Sequence, residues 1–141
     1  MNKLIRILRS INFMCKKKDG GPDSPVDAYF LIELKGLFTI ALLRFDKGTR
    51  EAYHTHAFNA FTWFLLGSLW EQDIDSSTIQ YKRAWRPKNT PRVKWHRITA
   101  AQTSWCLTIR GPWAYSWKEY DPKTETITTF TSGRKVLDIL K

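Results

Sequence analysis

A chain of 141 residues that is 43% hydrophobic is long enough for one domain with its own core and too apolar for wholesale disorder. Its aromatic fraction of 14%, with seven tryptophans, favours pleated, half-buried surfaces and so an all-β domain. The two cysteines, Cys15 and Cys106, make neither a CxxC pair nor a disulfide framework, which suits a reduced compartment, and no apolar run reaches the roughly 20 residues of a membrane span.

The net charge of +10 is uneven. Residues 1–18 carry Lys3, Arg6, Arg9, Lys16, Lys17 and Lys18 and no acid, and a second basic stretch runs from Lys82 to Arg97. Such surfaces attract phosphates, anionic membranes or acidic proteins, and they also simply keep a protein in solution. Over residues 2–14 the apolar positions Leu4, Ile5, Leu8 and Ile11 have helical spacing, which predicts a short amphipathic helix able to dock on the domain or on a partner. Arg6 and Arg9 interrupt that stretch and no small-residue cleavage site follows, so the expectation is a cytoplasmic protein that is not secreted. Residues 16–27, KKKDGGPDSPVD, read as a loop.

From Ala28 the grammar changes to short runs of Phe, Ile, Leu and Tyr between turn residues. YFLIEL, GLFTIALLRF and EAYHTH read as successive strands, with turns at Gly36 and at Asp46 to Gly48. FTWFLLGSLWEQ follows, and Gly67 inside it marks a bend, bulge or turn. IQYKRAW is another strand, RPKNTP a turn, and RVKWHRIT, SWCLTIRG, AYSWKEYD and TITTFTS are four more strands. Strands every ten residues or so, with no long helix between them, predict a sandwich or barrel over residues 28–131. The flanks are then a basic helix and loop over 1–27 and a short helix over 132–141, where RKVLDILK carries Val136, Leu137, Ile139 and Leu140.

The chain holds three histidines. Residues at i and i+2 of a strand share a face, so His54 and His56 can grip one ion from one wall, with His96 as the remaining candidate from a facing strand. The same HxH spacing also fits an ordinary core or surface pair. Glu51 and Glu71 are the acids nearest the histidines in sequence. Either could serve as a base or orient a ligand if it reached the interior, although a surface position is the default for both. Trp85 and Trp95, set among Lys and Arg, are the tryptophans best placed to stack on nucleic-acid bases. No GxGxxG or Walker loop is present.

The stretch LLRFDKGTREAYHTHAFNAFTWFLLGSLWEQ resembles the first motif of the cupin superfamily, and more closely that of a set of small uncharacterised cupins from phages and bacteria. Arg44, the turn at Asp46 to Gly48, Arg50, His54, His56, the aromatic run Phe58 to Phe64, Gly67 and Trp70-Glu71 follow its order. Pro91 followed by His96 resembles the second motif, and SWCLTIRGPWAYSW a third block, so the resemblance spans about residues 29–120. It implies a double-stranded β-helix, or jelly-roll barrel, with His54, His56 and His96 around one divalent ion: iron, zinc, nickel or manganese. Cupins commonly carry a glutamate ligand shortly after HxH. Here Asn59, Ala60 and Phe61 stand there, so Asn59 can offer at best a weak or outer oxygen, and the ion keeps an open position. The second motif also lacks its usual glycine before the histidine and its asparagine after it.

The resemblance implies a small metal-binding protein, as an enzyme dioxygenase- or isomerase-like and acting on an unidentified small molecule. The alternatives are a non-enzymatic virion or host-interaction protein that uses the barrel as a scaffold and the basic N-terminal segment as its contact, self-association through the N-terminal helix included, and a nucleic-acid binder. A phage origin would place the chain in the host cytoplasm or the virion.

Overall fold

The computed structural model describes residues 12–49, 52–75, 77–82 and 86–141. Every regular element among them is a strand. β1 (Asn12–Lys18), β2 (Val26–Leu34), β3 (Phe38–Phe45), β6 (Ala60–Leu66), β9 (Lys88–Thr90) and β11 (Ser104–Arg110) make one sheet, in the order β1-β2-β3-β11-β6-β9. β5 (Tyr53–His54), β7 (Leu69–Asp73), β8 (Thr78–Tyr81), β10 (His96–Ala100), β12 (Ser116–Asp121), β13 (Thr126–Thr131) and β14 (Val136–Leu140) make the other, in the order β14-β13-β12-β5-β10-β7-β8, and β4 (Gly48–Thr49) pairs β10 from the side. All the pairings are antiparallel, as short connections allow.

Alternation along the strands builds the core. Ala28 and Phe30 of β2, Ala41 and Leu43 of β3, Phe64 of β6 and Cys106 of β11 meet Leu69 of β7 and Ala100 of β10, so the apolar layer lies between the sheets. A second cluster of Ala57, Phe58 and Ala60, with Trp113 and Trp117 against it, lies at the end of the barrel where the histidines are. Gly67 turns β6 into β7 with φ +92°, and a Cβ there would stand 2.2 Å from Ser104 Oγ and 2.7 Å from Ser104 Cα, so only glycine fits.

The ends of the chain correct the sequence reading. The helix expected over 132–141 is instead β14, paired with β13 so that Ile127 faces Leu140 and Thr128 faces Ile139. Thr131 Oγ1 accepts the Lys135 N–H at 3.0 Å and Arg134 takes φ 64°, which closes a hairpin. A helix of one or two turns is marginal in water, whereas a ready strand edge supplies every backbone partner at once, and Val136 and Ile139 suit it. Most of the helix expected over residues 2–14 lies outside the described residues. Its last part, with Lys16, Lys17 and Lys18 that were read as loop, is β1, antiparallel to β2. The expected turn over 86–91 contains β9, in register with Ala60 to Thr62.

Candidate metal centre

β5 is only two residues long, and its position rather than its length matters. It lies between β12 and β10, so His54 stands opposite Glu119 on one side and His96 on the other. His96 therefore comes from the neighbouring strand of the same sheet and not from a facing one, and the pair is a direct cross-strand contact. His56 lies beyond the end of β5 in irregular chain, so strand alternation does not orient it. The loop is instead pinned by backbone bonds: Thr55 N–H to Lys118 O and His56 N–H to Arg92 O, both 2.9 Å, with Thr55 Oγ1 accepting the Lys118 N–H.

The three imidazoles form a nearly equilateral group. Ring centroids are 4.9 Å apart for His54–His56, 4.9 Å for His54–His96 and 5.0 Å for His56–His96. One ring nitrogen from each lies within 4.8 Å of the other two, and the Nε2 atoms of His56 and His96 are 2.8 Å apart. His54 and His96 are buried and His56 is half-buried. Ligand nitrogens about 2.0–2.1 Å from a tetrahedral ion stand about 3.4 Å apart, so small side-chain rotations bring this set to that spacing.

Glu71 on β7 is 1% exposed, against the expectation of a surface position. Its Oε2 lies 2.7 Å from His96 Nδ1. An ionised carboxylate only accepts hydrogen bonds, so His96 carries its proton on Nδ1 and presents the Nε2 lone pair to the other histidines. A carboxylate behind a histidine in this way orients metal-ligating imidazoles and raises their basicity. Lys94 Nζ stands 2.7 Å from Glu71 Oε1 and 3.1 Å from Asp73, and Lys88 Nζ contacts Glu71 Oε2 directly. Burial, with Lys94 beside it, pushes the Lys88 ammonium down to about 7, and the Glu71 charge works against that shift. Two charges of the basic stretch Lys82–Arg97 are thus turned inward onto Glu71.

The histidines open on a cavity of about 390 Å³ between the sheets. Phe30, Phe64 and Leu69 line its apolar side, the Thr62 and Thr108 hydroxyls meet 3.3 Å apart on its wall, and Glu33, Glu71, Lys88 and Arg110 bring charge to it. His56 packs against Phe58, whose ring lies 5.1 Å from that of Trp113.

The other candidates from sequence divide. Asn59 is exposed, and its Oδ1 accepts the Arg92 N–H at 2.8 Å, so it ties the histidine loop to the segment before His96. Glu51, Arg50 and Trp85 lie outside the described residues, as do Lys3, Arg6 and Arg9. Lys16 and Lys18 bond Asp27 at 3.3 and 3.0 Å, with Lys18 first and Lys16 second in holding that carboxyl below its usual range, and Lys17 lines the cavity. Lys88, Lys94, Glu33 and Arg110 escaped the sequence reading. The inward phase of β11, shared by Ser104, Cys106, Thr108 and Arg110, could have flagged Arg110 as a charge at an interior position, whereas Glu33 is out of phase with Ala28 and Phe30 and turns inward only through the bulge between Phe30 and Ile32.

No family model matches the chain and no curated protein does. Solved structures do. A sugar phosphate isomerase from a cupin superfamily of Silicibacter pomeroyi superposes with a TM-score of 0.59 at 13% identity, over 95% of this chain and 90% of that one. An ectoine synthase from P. lautus gives 0.55 at 14% identity, over 79% and 77%. An RmlC-like cupin from Shewanella frigidimarina gives 0.54 at 14% identity, over 67% and 81%. With two antiparallel sheets enclosing a cavity and these neighbours, the chain has the cupin fold.

Proposed function

We propose that this protein is a metal-binding cupin that holds one divalent ion on His54, His56 and His96 and presents it to a small molecule in the cavity. The observation that carries the reading is the triangle of three imidazoles with the Glu71 carboxylate behind His96. Neutral imidazole is the commonest ligand for the later first-row metals, and three protein ligands leave positions open, as catalytic sites do. An ion held there supplies Lewis-acid polarisation to an oxygen of the small molecule. The chain supplies the rest. Glu71 fixes the His96 tautomer, the Asn59–Arg92 bond holds the loop that carries His56, and Phe30, Phe64 and Leu69 exclude water from one side of the cavity. Neighbours described as a sugar phosphate isomerase and an ectoine synthase support an enzymatic role, the first of them isomerase chemistry, with a dioxygenase as the other metal-dependent option.

Elemental analysis of protein purified without a histidine tag tests the reading. About one ion per chain, lost on His54→Ala and His96→Ala while the β-rich far-UV spectrum persists, is the expected result. Wild-type protein that holds no stoichiometric metal after reconstitution leaves the barrel as a scaffold and overturns the proposal.

A further inference from the structure

Beside the histidines, the end of the cavity carries nitrogen donors that find no partner among the described residues. Arg110, on β11, is 3% exposed. Its Nη2 bonds Asp19 at 2.5 Å and its guanidinium stacks over Phe58 at 4.5 Å, but its Nε–H has no acceptor. Trp113 packs against the same Phe58, and its Nε1–H is also buried without an acceptor. Lys35 Nζ lies over the Trp113 ring at 4.6 Å. Arg134 stacks on Trp117, which packs against the same cluster, and its Nη1 is a third donor in that condition. Arg110, Trp113 and Arg134 all line the cavity. A buried donor left unsatisfied is expensive, and a protein with several of them around one space is organised for an acceptor.

From this we infer that the cavity takes an anionic small molecule whose carboxylate or phosphate group is bound at Arg110 and Trp113, with Lys35 and Arg134 adding positive charge. Asp19 offsets Arg110, and Glu119, 3.4 Å from Arg134 Nη2, offsets Arg134, so the net positive charge of the group comes from Lys35. The Phe58 ring touches both the Arg110 guanidinium and the His56 ring, so a ligand anchored at Arg110 lies one ring's width from the histidines. The aromatic walls of Phe58, Trp113 and Trp117 suit the flat or apolar face of such a ligand. This inference rests on reading the cavity as a small-molecule site, and it deepens that reading by naming the substrate class. The anion site is built by side chains that do not touch the histidines' ring nitrogens, so it should bind with or without metal.

The test is calorimetric titration of full-length protein, both metal-stripped and metal-loaded, with glucose 6-phosphate, gluconate and neutral glucose. Tryptophan fluorescence gives a second readout. The expected result is binding of one or both anions, and not of glucose, to both forms of the protein. Whether the phosphate or the carboxylate binds tighter decides which group the site takes. Arg110→Gln should weaken that binding at least about tenfold, because a charge-assisted hydrogen bond is lost, and Trp113→Phe, which removes only the indole N–H, by about threefold or more. Both variants should keep the wild-type metal content. If Arg110→Gln fails to fold, Trp113→Phe decides alone. Three results overturn the inference: no anion binding at millimolar concentration, binding unchanged in the folded variants, or binding seen only with metal loaded. A metal-free wild-type protein that still binds anions through Arg110 and Trp113 would sink the metal proposal and leave this one standing.

Discussion

Replacing Glu71 by glutamine is the sharpest perturbation the structure offers. The side chain is 1% exposed and meets three groups, His96 Nδ1, Lys88 Nζ and Lys94 Nζ. Glutamine keeps the volume and removes the charge, so any effect is electrostatic rather than a cavity. Removing one partner from a buried ion pair costs about 3–5 kcal/mol. The lower end applies here, because Lys94 retains Asp73 at 3.1 Å and Lys88 can shed its proton. That second escape makes the loss pH-dependent. Burial and Lys94 already push Lys88 from 10.5 down to about 7, and without Glu71 nothing opposes them. Well below that pH both folded and unfolded chains hold the proton in wild type and variant, so the full penalty is present. Between about 7 and 10.5 the unfolded chain holds a proton the folded one lacks in both proteins, so stability rises with pH in each and that rise cancels from their difference; the loss shrinks below about 7, where the variant's Lys88 sheds its proton first. Urea unfolding of metal-free Glu71→Gln should therefore show a loss of about 3 kcal/mol near pH 6 that is smaller at pH 9, with the change complete by about pH 7. Metal affinity, read by competition with a chelator, should fall about 10–100-fold, because His96 loses the carboxylate that orients it. A variant within about 0.5 kcal/mol of wild type at both pH values, and within about twofold in metal affinity, would refute the reasoning.

Saturating divalent metal should raise the melting temperature of wild-type protein, by about 2.7 kcal/mol of stabilisation at 100 times the dissociation constant, and leave His56→Ala unmoved; an equal shift in both places the ion elsewhere. Cys106 is buried in the core and its thiol is pushed up to about 12 by burial, so in native protein at mildly alkaline pH a thiol reagent should reach Cys15 and spare Cys106 until denaturant is added. Two thiols reacting at equal rates in native protein would contradict the packing. Gly67→Ala should lower stability by about 2 kcal/mol or more, read as a drop in the urea midpoint, because the new Cβ meets the Ser104 backbone at a positive φ; an unchanged midpoint would show that the turn can rearrange.

The strand rhythm, the glycine turn and the HxH pair were legible in the sequence because each is local. Alternation writes the 8 residues of β3 and the 7 of β11 directly into residue order, and β2 as far as its bulge after Phe30, and a glycine between two apolar runs marks a reversal wherever it occurs. The same local rules misread both ends. VLDIL has no period strong enough to choose for itself, and the backbone of β13, close in space after the hairpin at Thr131 to Lys135, made it a strand. Asn12 to Lys18 followed the edge of β2 in the same way, with Lys16 and Lys18 meeting Asp27 across the pair. The centre around the histidines divides along the same line. A separation of two residues keeps His54 and His56 near each other, but the backbone bonds of the loop at Thr55 and His56, not strand alternation, bring His56 to the group, and the placement of His96 beside His54 needed the β5–β10 register. Glu71 looked like any surface acid until β7 laid it against Ile98 and turned it inward to His96, Lys88 and Lys94, which lie 17 to 25 residues further along the chain. A buried charge is tolerated only where partners from other strands converge on it, and no window of sequence contains that convergence.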